Sequence, residues 1–257
     1  MKQPLRTLVL ALCCGLAAAC TQRPEHLKLM SYNIRNGIGI DNIQDIGRIA
    51  RVILREAPDL VALQELDSAT LRVDGRYIPG ELGRMTGMHA TFGRAIGFAG
   101  GSYGVGLLSR TEPLAVRSIP LPGREEARVL LMAEFPDYTV CVTHLSLTPE
   151  DRHASLPLIL QATDTCRKPV LLAGDFNTGD AAAVLAGLGG GFRILSDTTR
   201  MTFPSDNPAV RIDYILGRGL PTSATVTESA VDHTATASDH CPLWVTLAWK
   251  RGKQPGK

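Results

Sequence analysis

Six oily runs in this 257-residue chain end or begin in groups able to bind a cation or move a proton. "LKLMSYN" closes on Asn33, "LVALQE" on Glu65, "VCVTH" on His144 and "VLLAGDFN" on Asp175 and Asn177. "RIDYIL" carries Asp213, and "SDH" sets Asp239 and His240 just ahead of "PLWVTLAW". Each alone reads equally well as a turn residue or a solvated strand end. Their company suggests one chemistry. Hard divalent ions such as Mg²⁺, or Mn²⁺ in its place, choose carboxylate, amide and water oxygens and leave positions for a substrate phosphate, a role that suits Glu65 and Asp239. An imidazole bonded to a carboxylate accepts a proton from water near neutral pH, which Asp213 and His240 would do on neighbouring strands. His144, Asn177 and Arg128 would then hold phosphoryl oxygens as charge develops.

The intervening sequence supplies elements to position these groups. "DNIQDIGRIARVILREAP" spaces Ile46, Ile49, Ala50, Ile53 and Ala57 for a helix, with Asp41 as the expected cap and Pro58 past its end. That helix joins the strands "HLKLMSYNIR" and "DLVALQEL". "VGLLSR", "LAVRSIPL", "RVLLMAEF" and "YTVCVTHLSL" read as strands, with "FPDY" as a hairpin turn. "TPEDRHASLPLILQATDTC" reads as a helix opened by Thr148-Pro149-Glu150 and interrupted or kinked near Pro157. "RIDYILG", "ATVTES" and "LWVTLAWK" complete the strands. No low-complexity linker divides residues 27–249, so one domain is expected, with two sheets packed together and helices outside.

In order, "SYNIR", "LQE", "YGVGLLSR", "THL", "GDFN", "IDYI" and "SDHCPL" resemble the motifs of the endonuclease/exonuclease/phosphatase superfamily. The resemblance spans nearly all of Leu27 to Trp249 and rests on the combination, since any single motif is common. It implies an α/β four-layer sandwich of two mixed β-sheets flanked by helices, and a metal-dependent phosphoesterase. By position, Glu65 resembles the metal-binding glutamate with Asn33 beside it, and Asp239 a further metal-site acid. Asp175 and Asn177 resemble the pair that orients the attacking water and contacts phosphate. Asp213 and His240 resemble the carboxylate–histidine pair, and His144 the histidine of the nuclease and lipase branches. For substrate binding the candidates are Arg128, Tyr103 after "GFAGGS", and Arg211 in "TFPSDNPAVR", where Phe203 and Pro204 either meet substrate or pack a loop.

The first nineteen residues have a signal-peptide layout: Lys2 and Arg6 precede "TLVLALCCGLAAA", thirteen residues against the roughly twenty of a membrane span. "LAAAC" resembles a bacterial lipobox, with Cys20 lipidated and residues 20–26 as a tether; ordinary cleavage after Ala19 is the other reading. The expectation is export, as a Gram-negative outer-membrane lipoprotein or else a periplasmic or secreted protein. With Cys13 and Cys14 in the signal and Cys20 consumed, Cys141, Cys166 and Cys241 allow at most one disulfide and read as buried small hydrophobes.

Charge bears on the partner. The 27 basic and 25 acidic residues become 25 of each once Lys2 and Arg6 are removed, and the tail 250–257 holds four bases and no acid. The body from Cys20 to Trp249 is therefore about −4, the wrong sign for a surface that tracks phosphates. No long insertion rich in basic and aromatic residues separates the motifs. The sequence points to a monomeric, exported, Mg²⁺-dependent hydrolase of a lipid-headgroup, inositol or sugar phosphoester, held to a membrane by its lipid. An exported DNA or RNA endonuclease and a non-catalytic lipoprotein that binds a phosphorylated ligand are the alternatives.

Overall fold

A computed structural model describes residues 25–189 and 191–249; the leader, Cys20 with most of its tether, and the basic tail lie outside the described residues. The oily runs become strands buried on both faces, which is why they read as continuous rather than alternating. In β1 (Glu25–Asn33), Leu27 and Leu29 face an inter-sheet core while Met30 and Tyr32 face a helix layer. β2 (Leu60–Ser68) divides likewise, with Leu60 and Ala62 inward and Val61 and Leu63 outward.

The first sheet has the order β11-β12-β1-β2-β4-β3 and the second β5-β6-β7-β8-β10-β9. Its members are β3 (His89–Phe98), β4 (Gly101–Ser109), β11 (Thr225–Val231) and β12 (Leu243–Trp249), with β1 and β2. The second holds β5 (Ala115–Leu121), β6 (Arg128–Glu134), β7 (Thr139–His144), β8 (Val170–Asp175), β9 (Arg193–Ile194) and β10 (Asp213–Arg218). Each sheet has one parallel pair at its centre, β1 with β2 and β7 with β8, and the other neighbours are antiparallel.

Helices α1 (Ile46–Glu56) and α2 (Ile78–Thr86) cover the first sheet, and α3 (Pro149–Asp164) and α4 (Ala181–Leu188) the second. This is the expected sandwich of two mixed sheets between helices. Ile46, Ile49 and Ile53 bury the apolar face of α1. Its cap is Asp45, whose side chain accepts from the Arg48 amide at 3.3 Å, and not Asp41. Asp41 instead accepts from the Arg48 guanidinium at 2.8 Å, one turn too far out to meet the free amides. Helix α3 runs unbroken through Pro157, where an interruption or a kink was expected. Cys141 and Cys241 are buried and Cys166 partly so; all three are free thiols.

Candidate active site

The site is the polar continuation of the inter-sheet core. Side chains two apart on a strand share a face, so Asp175 follows Leu171 and Ala173, His144 follows Val140 and Val142, and Asp213 precedes Ile215 on the inward face. Pairing then sets them side by side: His144 is opposite Asp175 across β7 and β8, and Asp213 is opposite Asp175 across β10 and β8. A methyl on Gly174 would lie 2.0 Å from the Thr143 carbonyl oxygen, so only glycine lets β8 approach β7 here.

Glu65 reaches the same point by a different device. Unbroken alternation would put Gln64 inward with Ala62 and turn Glu65 out toward the helices. Between the pairs Leu63–Gly106 and Leu66–Gly104, however, β2 spends two residues against one on β4, and Glu65 takes the left-handed conformation at φ 56°. This bulge swings the carboxylate to the rim of the inter-sheet core. The "SDH" segment is tied to the end of β1, the Ser238 hydroxyl donating to the Asn33 carbonyl at 2.7 Å.

Asn33 joins the two halves. Its amide Nδ2 donates to Glu65 Oε1 at 3.0 Å and Asp175 Oδ2 at 3.1 Å, and lies 3.4 Å from His240 Nε2. His240 Nδ1 is 3.0 Å from Asp213 Oδ2, and its Nε2 is 3.7 Å from Asp175 Oδ2. His144 Nε2 stands 3.6 Å from the same Asp175 oxygen. The Asn177 backbone amide donates to Asp175 Oδ1 at 2.8 Å, and its side-chain amide to the Leu145 carbonyl, also at 2.8 Å. Asp239 lines the same cleft and pairs with Arg35 at 3.5 Å.

Burial sets the electrostatics. It raises the Glu65 carboxyl, against the opposing Asn33 bond, and the charges of Asp239 and Asp175 raise it further. Burial and then Asp213 raise Asp175. Burial holds His144 down at about 4, so it is neutral at pH 7. For His240 burial also pulls downward, but the charge and hydrogen bond of Asp213, with Asp175 and Asp239 behind them, outweigh it and carry the imidazole up to about 10.

The cleft has a volume of about 370 Å³ and is bounded by Glu65, Asp175, Asp239, His144 and His240, with Tyr103, Arg128 and Asn177 also in its wall. A larger groove of about 590 Å³ lies by β5 and the starts of β7 and β8, holding Arg117, Glu134, Cys166 and Lys168 and none of these groups. Two sets of donors could hold a cation. Asp175, Asp213 and His240 place ligand atoms within 4.8 Å of one another, but His240 Nδ1 and Asp213 Oδ2 already satisfy each other. Glu65 and Asp239 offer carboxylate oxygens in the cleft wall, and among the described residues no cationic side chain bonds the desolvated Glu65 carboxylate. That is the donor chemistry a hard divalent ion fits. Asn33, expected as a third ligand, is buried, with its Oδ1 on the Arg35 amide and its Nδ2 turned to Glu65, so it orients that carboxylate instead.

One expected substrate contact is corrected. Arg211 is turned away from the cleft, its guanidinium bonded to the Ser196 hydroxyl and to the Asp197 and Asp213 carbonyls and stacked over Tyr214, so it has no face for a second anion. Arg128 lines the cleft, but its Nη1 donates to Glu126 at 2.9 Å and its Nη2 to Glu125 at 3.3 Å. Phe203 is a wall residue, its ring 4.8 Å from the His240 ring. Leu147, Ile212 and Glu126 also line the cleft, with no signal in the sequence beyond proximity to motifs.

Solved structures share this fold. An endonuclease/exonuclease/phosphatase from Bacteroides vulgatus superposes with a TM-score of 0.72 at 19% identity, over 88% of this chain and 100% of that one. A mannosyl-6-phosphatase from Bacteroides thetaiotaomicron gives 0.66 at 19%, covering 86% and 99%. D. rerio TDP2 complexed with a single-strand DNA product gives 0.65 at 23%, covering 86% and 98%. A sequence model of the Endonuclease/Exonuclease/phosphatase family matches residues 30–240, a stretch that takes in every group of the cleft from Asn33 to His240. The chain belongs to that family.

Proposed function

We propose that the protein is a divalent-cation-dependent phosphoester hydrolase acting by in-line attack of water. The carrying observation is the unbroken chain of contacts Asp213–His240–Asn33–Glu65, with Asp175 touching its middle, on one accessible rim. Mg²⁺ held by Glu65 and Asp239, with Asn33 orienting the Glu65 carboxylate, would supply positive charge to the phosphoryl oxygens. Asp213 fixes the His240 ring through Nδ1 and keeps it protonated at neutral pH, so His240 steadies the phosphoryl group through Nε2–H. Asp175, whose basicity burial has raised, takes the proton from the attacking water. Asn177 holds Asp175 in place, and neutral His144 donates to the phosphoryl or leaving oxygen. The neighbours' names include a sugar phosphatase and a DNA-processing protein, so the fold by itself does not select a substrate.

A panel of bis-p-nitrophenyl phosphate, sphingomyelin, inositol phosphates and DNA, assayed with wild type and Glu65→Ala, tests this reading. Metal-dependent turnover lost in the variant supports it; no turnover of any ester leaves the protein a binder. DNA cleavage abolished by His240→Ala makes it a nuclease.

We further infer export and lipid attachment at Cys20, on the strength of "LAAAC". Glu25 starts β1 at the end opposite Asn33, so nine residues at about 3.3 Å each set Asn33 roughly 30 Å from that end of the strand. Cys20→Ala should move the protein from the membrane to the soluble fraction; unchanged fractionation refutes the anchor.

A further inference from the structure

We propose that Glu126 is a specificity-determining residue, and that the substrate is a sugar or polyol phosphate whose scissile phosphate is its one anionic group. This rests on the phosphoester-hydrolase reading and adds the nature of the alcohol.

The loop "PGREEA" joins β5 to β6. Glu125 fastens it. Its carboxylate accepts from the Ser146 hydroxyl at 2.7 Å, the Leu147 amide at 2.7 Å and the Thr148 hydroxyl at 3.1 Å, and these bonds outweigh its burial and hold it ionised, down at about 2. The loop is thereby locked to the segment after β7, and Glu126 is presented to the cleft with Tyr103, Arg128 and His144.

Arg128 is the one arginine in the cleft wall, and no lysine joins it among the described residues. Each of its terminal nitrogens donates to one glutamate, Nη1 to Glu126 and Nη2 to Glu125. The wall carries Glu65, Asp175, Asp239 and Glu126 against Arg128 and His240. With a divalent ion bound, that wall accommodates one phosphate, while the two glutamates on Arg128 offset the positive charge a second would need. A nucleic-acid strand or a bisphosphate would bring its extra charge against Glu126.

What Glu126 does offer is hydrogen-bond acceptance. Oε1 takes the Arg128 bond, while Oε2 accepts none among the described residues. The carboxylate is half-buried, and burial raises its pKa against the pull of Arg128. The Tyr103 hydroxyl, in the same wall, has no partner among the described residues. A carboxylate acceptor beside a phenol donor suits vicinal hydroxyls, and such a pair left empty rejects an alcohol that lacks them. Leu147, Phe203 and Ile212 line the same cleft and suit the C–H faces of a sugar or polyol carbon chain.

The test compares kcat/KM in MgCl₂ for wild type, Glu126→Ala, Glu126→Gln and Tyr103→Phe, each checked for native melting. The monoester probes are glucose 6-phosphate, fructose 1,6-bisphosphate and p-nitrophenyl phosphate. The diester probes are glycerophosphoinositol, bis-p-nitrophenyl phosphate and a DNA oligonucleotide. Losing a hydrogen bond to a charged group should lower the ratio of hydroxylated to nitrophenyl ester about ten-fold or more in Glu126→Ala, with a smaller fall in Tyr103→Phe. Glu126→Gln should raise the ratio of bisphosphate to monophosphate. Ratios unchanged within about two-fold in all variants overturn the proposal, as does a wild-type preference for the bisphosphate or DNA. Wild-type turnover of the nitrophenyl esters that Glu65→Ala abolishes reports the hydrolase reading separately. If no ester turns over, calorimetric binding of glucose 6-phosphate decides: about ten-fold weaker in Glu126→Ala supports the role, while no binding or equal binding refutes it.

Discussion

Glu65 makes the sharpest prediction, because one substitution should act with opposite signs in the presence and absence of metal. Burial, with Asp239 and Asp175 nearby, raises its folded pKa despite the Asn33 bond. A carboxyl raised by folding binds its proton more tightly folded than unfolded. Its contribution to stability is therefore present at low pH and lost as pH rises through the folded pKa. At pH 7.5 the ionised group works against the fold. Glu65→Gln keeps the Oε1 that accepts from Asn33 and removes the charge, so the metal-free variant should melt at or above wild type. Metal reverses the order. At a concentration 100 times its Kd, a cation stabilises wild type by about 2.7 kcal/mol, and at roughly 2–4 °C per kcal/mol for a chain of this size Tm rises by about 5–10 °C. If Gln weakens binding about 100-fold, the same concentration yields about 0.4 kcal/mol, near 1 °C. Differential scanning fluorimetry in EDTA and in MgCl₂ measures both. A metal-free variant several degrees below wild type would show the carboxylate to be structurally paired, and an intact metal increment would place the cation elsewhere, on Asp175 and Asp213.

Asp213→Asn should lower kcat about 10²–10⁴-fold with little change in melting, and NMR should show His240 titrating well below its value of about 10; an unmoved imidazole would mean that Asp213 is not its charge partner. His144, held at about 4 by burial, binds fewer protons folded than unfolded between that value and 6.5, so acid should cost the protein stability there, up to about 3 kcal/mol. His144→Asn should flatten the fall of urea-unfolding stability from pH 7 to pH 4, and an equal slope in both proteins refutes it. Gly174→Ala must move β8 off the Thr143 carbonyl, a backbone clash costing about 3 kcal/mol or preventing folding; a Tm within 2 °C of wild type would contradict that packing.

Much of the site was legible because of strand direction. In the parallel pairs β1–β2 and β7–β8 the oily run comes first and the polar group last, giving Asn33, Glu65, His144 and Asp175. In the antiparallel neighbours β10 and β12 the order reverses, giving Asp213 and His240 ahead of their runs. Both orders land on one rim, so strands with polar ends on alternate sides are what a single site built on mixed sheets demands. A sequence reader can see the ends without seeing the sheets.

What escaped the sequence had no such period. The bulge that turns Glu65 depends on counting residues across β2 and β4, a pairing that no local pattern encodes. Arg211 sits as close to motifs as the wall groups do, and only its partners show that it packs a loop, just as only the structure shows that Arg128 in the wall is bound by two glutamates. Helices α2 and α4 went unread because each is short, and α4 is so apolar that no polar face marks it. Charge gave the most durable hint. A body of net −4 argued against a phosphate-tracking surface, and the cleft repeats that logic locally: its arginine is paired with two glutamates, one oxygen of Glu126 is left to accept from an alcohol, and discrimination there depends on hydroxyls rather than added phosphates.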